Sequence, residues 1–263
     1  MRVAISTIAL LACTSLASAA DLGGSYGYDG SLKDAPSATA PIWTGLYIGA
    51  HGGYAWADVD YPGANPYVAP PAPCGDCGPP RASLEGGLVG GQLGYNFQIG
   101  QVVLGAEVDY SFAKLSKSVR DGNYLVQTHE MDGIGSVRGR LGYAFDRFLP
   151  YVTGGWAWAD ASLAQSCPQA AAVPADINSH CKRADMYNVK DSSTTDGWVI
   201  GGGFEYAAAS NWTVRAEYLH YDFGKAKYEL GKAPLNPTED IGTKTLEHDV
   251  DVFRVGVNYK FGR

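Results

Sequence analysis

Four cysteines give this chain its clearest capacity for covalent chemistry. Cys74 and Cys77 lie in one segment, Cys167 and Cys181 lie in another, and a fifth cysteine, Cys13, lies in an N-terminal apolar stretch. In an exported chain an even number of cysteines predicts disulfides, and four cysteines allow three pairings. The two local pairs close the shortest loops, cross-loop pairing is the next alternative, and a four-thiolate zinc site requires ligands that escape oxidation. The sequence therefore predicts disulfides in loops and leaves their connectivity open.

The histidines share no metal-ligand spacing and are expected to be solvated or to line a barrel interior; they are His51, His129, His180, His220 and His248. His129, His180 and His248 fall in or near predicted loops rich in tyrosine, so they are the candidates for a surface haem site. Ser116, His248 and Asp249 supply the residue types of a barrel hydrolase, but nothing in the sequence specifies their geometry. The sequence predicts no catalytic residue, no metal site and no cofactor.

Nine charged residues occur at alternate positions of short apolar segments. They comprise four anions, Glu107, Asp109, Glu205 and Glu217, and five cations, Arg138, Arg140, Arg215, Arg254 and Lys260. Opposite charges at similar depth can pair and share hydrogen bonds, and an eight-stranded barrel has an interior just wide enough for side chains to fill. We predict that these residues form a network inside a barrel and that no open porin channel exists. Inward glycines leave a narrow water path as an alternative.

Strands must position this network, and the sequence contains eight segments in which apolar residues alternate with small or polar ones. These segments are 44–56, 88–99, 102–112, 133–145, 148–158, 198–206, 212–223 and 252–261. Period 2 over this length is typical of a membrane-spanning β-strand. The 34 glycines and the low share of charged residues, 18%, disfavour a helical protein. Beyond the N-terminus no uncharged apolar run is long enough for a spanning helix.

Two regularities place these strands in a membrane. The even-numbered segments all end in an aromatic pair on the apolar face: Tyr95 and Phe97, Tyr143 and Phe145, Phe204 and Tyr206, and Tyr259 and Phe261. Such rings settle at a membrane interface. Long connections, at 57–87, 113–132, 159–197 and 224–251, alternate with short ones at 100–101, 146–147 and 207–211. This asymmetry predicts an outer-membrane barrel with periplasmic turns and termini and with extracellular loops.

The N-terminus has the pattern of a signal peptide at residues 1–20. Arg2 precedes a long apolar stretch, and small residues then form a cleavage site before Asp21. Lipidation at Cys13 is a weaker alternative, because that cysteine follows a very short apolar region. Residues 21–42 show no apolar period and predict a flexible periplasmic tail, followed by a barrel domain at 43–263. A sequence pI near 5.2 argues against nucleic acid as a partner.

Alternation alone does not distinguish a membrane barrel from a soluble eight-stranded barrel, in which the apolar face would turn inward and the charges outward. The export signal, the shared aromatic levels and the alternating loop lengths favour the membrane barrel. The prediction therefore depends on which face the apolar residues occupy.

Several motifs resemble those of the small outer-membrane β-barrel proteins of alphaproteobacteria. They are WTGLYIGAHGGY at 43–54, VRGRLGY at 137–143, PYVTGG at 150–155, WTVRAEY at 212–218, YDFG at 221–224 and VGVNYKF at 255–261. The resemblance implies an eight-stranded fold similar to the OmpA membrane domain. It also implies an abundant envelope protein or surface antigen of the porin-family type, with haem binding in some members. The chain departs from the usual aromatic C-terminus by adding Gly262 and Arg263.

The sequence therefore predicts an all-β, eight-stranded, antiparallel, up-and-down transmembrane barrel in the outer membrane. Its predicted role is structural support of the envelope and surface display, without enzymatic activity. The alternatives are a haem or small-ligand receptor, a narrow-pore channel and a lipid-modifying enzyme. The expected partners are outer-membrane lipid and lipopolysaccharide, the barrel-assembly machinery and an extracellular ligand of the loops.

Overall fold

The computed structural model describes residues 42–60, 81–120, 126–166, 188–233, 236–240 and 243–261. Their strands are β1 (Gly45–Asp60), β2 (Arg81–Ile99), β3 (Val102–Arg120), β4 (Val126–Tyr143), β5 (Phe148–Ser166), β6 (Val189–Ala207), β7 (Trp212–Glu229), β8 (Lys232–Ala233), β9 (Asn236–Asp240) and β10 (Thr243–Phe261). Among these residues no helix is long and apolar enough to cross a membrane. The signal peptide and most of the tail predicted at 1–42 lie outside the described residues.

Eight of these strands form a closed antiparallel barrel in the order β1-β10-β7-β6-β5-β4-β3-β2. Strands β8 and β9, which lie between β7 and β10 along the chain, form a separate two-stranded sheet. Each barrel strand therefore pairs with its neighbours along the chain, and β10 closes the ring against β1. The predicted eight-stranded up-and-down barrel is confirmed.

Tight turns join the strands at one end of the barrel, which we call the turn end; the opposite end is the loop end. Gly100, with a φ of 60°, lies in the turn from β2 to β3, and Asp146, with a φ of 53°, lies in the turn from β4 to β5. Such left-handed residues suit the two-residue turns of twisted hairpins. The turns predicted at 100–101 and 146–147 therefore have the backbone that a short connection requires.

Large apolar side chains cover the outward face of the barrel from the turn end to a level near the middle of the long strands. The exposed fractions of Val89, Phe112 and Val152 are 63%, 68% and 61%. An apolar surface of this extent is unfavourable in water but suits acyl chains. The soluble alternative, with the apolar face turned inward, is therefore excluded over this part of the barrel. The loop-end limit of the apolar band is marked by outward aromatic residues: Trp56, Phe112, Trp158, Trp198 and Phe253.

The strands extend further toward the loop end than predicted. Strand β2 begins at Arg81 instead of residue 88, β3 ends at Arg120 instead of residue 112, and β10 begins at Thr243 instead of residue 252. The predicted long connections therefore contain strand at both ends. Beyond the apolar band these strands extend past the acyl chains, so polar side chains occupy their outward face.

Strand β7 shows why the alternation misled the prediction of strand ends. Near the turn end Trp212 and Val214 point outward and are exposed, whereas farther along Leu219 and Tyr221 are buried in the interior. Asp222 then occupies the outward face, where it lies opposite an acidic residue of β10. The apolar residues thus change faces at the level of the aromatic belt. A prediction that requires the apolar residues to stay on one face therefore ends the strand at that level.

Candidate functional site

The nine charged residues predicted to face the interior all lie there and are buried. Strand pairing places opposite charges side by side: Glu107 of β3 lies opposite Arg138 of β4, and Glu217 of β7 lies opposite Arg254 of β10. Cross-strand neighbours on one face are close enough for their side chains to interact. We call the section of the interior that eight of them, all except Lys260, occupy the ionic layer. The sheet register itself creates these pairs.

Arg138 lies at the centre of the ionic layer. Its guanidinium forms ion pairs with Glu107, with Asp109 at 3.1 Å and with Glu217 at 2.9 Å. These three carboxylates come from two strands, so Arg138 joins β3 and β7 across the interior. Only 1% of its side chain is exposed. Arginine can make several such bonds at once because its planar guanidinium carries five donors.

Arg254 and Arg215 complete the central cluster from the other side. Arg254 forms ion pairs with Asp109 at 2.8 Å and with Glu217 at 2.7 Å. Arg215 binds the second oxygen of Glu107 at 2.5 Å. Each carboxylate of the cluster therefore contacts at least two guanidinium groups. A buried charge is tolerated when it is paired in this way.

A second centre lies nearer the turn end around Arg140. Its Nη2 donates to Glu205 at 2.8 Å, and its guanidinium carbon lies 3.9 Å from the ring centroid of Tyr151. Its Nη1 donates to the hydroxyl of Tyr47 at 3.2 Å, and this hydroxyl donates to Glu107 at 2.7 Å. Tyr47 therefore links the Arg140 centre to the central cluster, and the ionic layer is one continuous network.

The charges of the network balance. Four anions, Glu107, Asp109, Glu205 and Glu217, meet four arginines, Arg138, Arg140, Arg215 and Arg254, so 4 − 4 leaves no net charge. Lys260, the fifth predicted cation, lies at the turn end, where its Nζ donates to the carbonyl of Ile42. A neutral network keeps the cost of burying charge low, whereas an unbalanced one would draw ions or water into the interior.

The sequence prediction missed several neutral members of the network. Tyr47 and Tyr151 bind its charged groups, and His51 lies between Gln92 and Ser111, whose side-chain oxygens are 2.5 and 2.8 Å from its ring nitrogens. These residues share the inward parity of the charged ones. Parity places them on the inward face, but alternation alone does not show that neutral side chains bind the charged ones. His51 lines the barrel interior, which is one of the two environments that the sequence predicts for the histidines.

Apolar layers cover the ionic layer toward both ends of the barrel. Trp43, Val103 and Leu149 form a small cluster at the turn end, where the indole Nε1 of Trp43 donates to the carbonyl of Asp146 at 3.2 Å. A larger cluster fills the interior toward the loop end and includes Leu115, Met131, Leu163, Leu219, Tyr221, Phe223, Leu246 and Val250. The described interior is thus filled by side chains in three layers.

The remaining sequence candidates do not form a common site. His129 and His248 were predicted in or near loops, and this placement is wrong, because they lie in β4 and β10 and are buried. Ser116 is exposed on β3, whereas His248 is buried on β10, so the hydrolase residues are not brought together. His180 and the four loop cysteines, Cys74, Cys77, Cys167 and Cys181, lie outside the described residues. Within the described ranges no cluster of three or more His, Cys, Asp or Glu could hold a metal ion.

Sequence comparison identifies similar proteins along almost the whole chain. A family model described as "Outer membrane protein beta-barrel domain" matches residues 5–261. The chain is 33% identical to the 31 kDa outer-membrane immunogenic protein of Brucella melitensis over 88% of this chain and 90% of that protein. It is 27% identical to the 22 kDa outer membrane protein of Rhizobium leguminosarum bv. viciae over 87% of this chain and 83% of that protein.

Structure comparison finds similar barrels at low sequence identity. One is the outer membrane protein OprG from Pseudomonas aeruginosa, with a TM-score of 0.47, 15% identity and coverage of 84% of this chain and 97% of that one. Another is Neisserial surface protein A, with a TM-score of 0.42, 18% identity and coverage of 83% and 98%.

Proposed function

Since the chain belongs to the outer membrane protein β-barrel family and resides in the outer membrane, we propose that it supports the cell envelope and displays its loops at the surface. The family resemblance and the outer-membrane location predicted from the sequence are confirmed. The finer role, envelope support without an open channel, is our proposal. The observation that carries it is the filled interior, in which a balanced ionic layer lies between two apolar layers.

A filled interior supports a mechanical role because it makes the barrel rigid and blocks diffusion. The central guanidinium groups join strands on different sides of the ring, so deforming the barrel would break several buried ion pairs. The band of exposed apolar side chains gives the barrel its contact with acyl chains. We propose outer-membrane lipid and lipopolysaccharide as the partners of this band, and the barrel-assembly machinery as the partner that inserts it.

Planar-bilayer recordings test whether the barrel conducts. We expect the purified, folded protein to give no steady conductance steps, because the apolar layer around Met131 and Leu219 excludes hydrated ions. A general porin inserted under the same conditions is the positive control, and boiled protein is the negative one. Steady, ohmic steps from the folded protein would establish the narrow-pore alternative and contradict the proposed function.

Complementation of a deletion strain tests the structural role itself. We expect loss of the protein to increase sensitivity to detergents and large antibiotics. A chain shortened within 61–80 and 167–187, which keeps every described strand of the barrel, should restore resistance as well as the full chain does. If only the full chain restores resistance, the loops carry the function, and a receptor or adhesive role replaces ours.

Haem or small-ligand binding is the second candidate function. Of the three histidines predicted for it, His129 and His248 are buried in the barrel, and His180 lies outside the described residues. Titration of the purified full chain with haem distinguishes it from the structural role. A saturable Soret shift that disappears in the loop-shortened chain would favour a surface receptor. We propose no enzymatic role, because Ser116 and His248 lie on different faces of different strands; unaltered lipid A profiles with and without the protein are the expected result.

A further inference from the structure

Two histidines face the interior of the barrel beyond the membrane-spanning band. His129 of β4 and His248 of β10 are only 3% and 4% exposed, and both lie on the loop side of the outward aromatic residues. In the ring β4 and β10 are separated by three strands in either direction, so the two imidazoles approach from opposite walls. We call them the histidine pair.

The surroundings of the histidine pair are mainly apolar. Leu246 and Val250 flank His248 on β10, and Leu163 of β5 lies opposite His129 in the register. The Nδ1 atom of His248 and the side-chain oxygen of Gln165 have no hydrogen-bond partner. A buried polar atom without a partner costs free energy, and opening this section of the interior to water would hydrate both atoms.

The titratable groups near the pair give its charged form little support. The ring centroid of Tyr228 of β7 lies 6.2 Å from that of His248. Burial and the charge of Asp191 of β6 raise the pKa of Tyr228. Lys117 of β3 lies opposite His129 in the register, with its side chain exposed at the rim. Toward this section β1 and β2 present apolar residues, Ala57 and Leu84.

Burial acts on both imidazoles in the same direction. Desolvation lowers the pKa of His129 to about 4. Desolvation and the neighbouring His129 lower the pKa of His248 to about 4 as well. When the loop end opens, both side chains return to water, where the pKa of histidine is about 6.5.

We propose that the histidine pair is an acid-sensitive closure of the loop end. Neutral imidazoles allow the apolar layer between β4 and β10 to pack. Protonation of both imidazoles opens the barrel beyond the membrane. Two like charges would then face each other in an apolar interior, with Lys117 as a third positive charge at the rim. The ionic layer, which is neutral as a whole, keeps the membrane-spanning part folded.

The sign of the pH dependence follows from the lowered pKa values of the closed state. Closure has its full stability above about pH 6.5, where the open state also carries neutral histidines. Stability falls as the pH drops from about 6.5 toward 4, because only the open state takes up protons in that window. We expect the opening equilibrium at about pH 4.5 to exceed its value at neutral pH by at least about tenfold.

Hydrogen–deuterium exchange of the full chain in phospholipid nanodiscs measures this opening, after correction for the intrinsic pH dependence of exchange. Acidification to about pH 4.5 should increase exchange at least about tenfold in 126–131 and 243–250. It should leave the membrane-spanning parts of the same strands protected. The variant His129→Phe/His248→Phe keeps the aromatic volume and should stay protected at acid pH. His220→Phe, at an outward and partly exposed histidine, is the matched control and should behave as wild type.

Two results would overturn the proposal: protection of these segments in the wild type at acid pH, or equal loss of protection in the double variant. Histidine ring NMR of the wild-type protein provides a readout that needs no substitution. We expect the assigned imidazoles of His129 and His248 to titrate well below the ordinary range. If these two imidazoles titrate near about pH 6.5, the histidine pair is not buried in solution and the proposal is wrong.

Discussion

Replacing Arg138 by methionine destabilises the folded barrel by about 3–5 kcal/mol. Methionine matches much of the volume of the side chain but removes a guanidinium that binds Glu107, Asp109 and Glu217. The substitution leaves four buried carboxylates with three arginines in the network. The loss is large because the remaining anions stay buried, whereas an exposed carboxylate would simply be hydrated.

Urea unfolding in lipid vesicles, followed by the shift between folded and unfolded bands on unboiled gels, measures this effect. Lys225→Met removes a cation that is 64% exposed and pairs with Glu247 at 3.3 Å, so this control should change stability little. Adding Glu217→Gln to Arg138→Met restores equal numbers of anions and cations and should recover part of the loss. If Arg138→Met and Lys225→Met have equal effects, the ionic layer does not stabilise the barrel.

Placing an arginine on the outward face at Val255 is expected to cost about 2–4 kcal/mol. Val255 is 54% exposed and lies between Phe253 and Val257 on the outward face of β10, within the apolar band. A guanidinium there must reach toward the interface or draw water into the acyl region. The cost arises from the bilayer, since the side chain has room on the protein surface.

The same unfolding assay, with refolding into vesicles, measures the cost of Val255→Arg. Ser116→Arg is the matched control, because Ser116 is exposed on β3 beyond the apolar band and its arginine would enter water. We expect this control to fold and insert as wild type. Equal and small effects of the two arginines would mean that Val255 does not face lipid, and the orientation of the barrel would be wrong.

The fold was largely predictable because each membrane-spanning strand keeps one apolar face across the whole thickness of the acyl region. On β3, for example, Leu104 and Val108 alternate with Glu107 and Asp109, and the structure exposes the first pair while burying the second. The strand ends were not predictable in the same way. Past the aromatic belt the apolar residues move to the inner face, as in a soluble barrel, and period 2 alone carries no signal for that change.

The charged residues of the ionic layer followed from parity, but their connectivity did not. Alternation assigned Arg138 and Arg140 to the same face, and only the register of β3, β4 and β7 determines that Arg138 meets three carboxylates while Arg140 stacks on Tyr151. Side chains that cross the interior join residues far apart in the chain. Local sequence patterns do not show which inward side chains lie at the same depth in the barrel.

The histidines show the opposite outcome. His129 and His248 lie in polar stretches of sequence, which favoured loops, yet the extended strands carry both into the interior. Their burial depends on the inversion of the apolar face beyond the belt. A prediction that allowed this inversion would have placed them correctly, since each is separated by one residue from an inward apolar one, Met131 or Val250.

Labelling with an apolar photoreactive reagent dissolved in the bilayer tests the central claim most directly. Peptide mass spectrometry after illumination would locate the modified residues. We predict labels on outward residues of the apolar band, such as Val214 and Val255, and none on Arg140 or Glu217, which lie in the ionic layer. Labels on Arg140 and Glu217 with none on the two valines would show that the barrel is inside out.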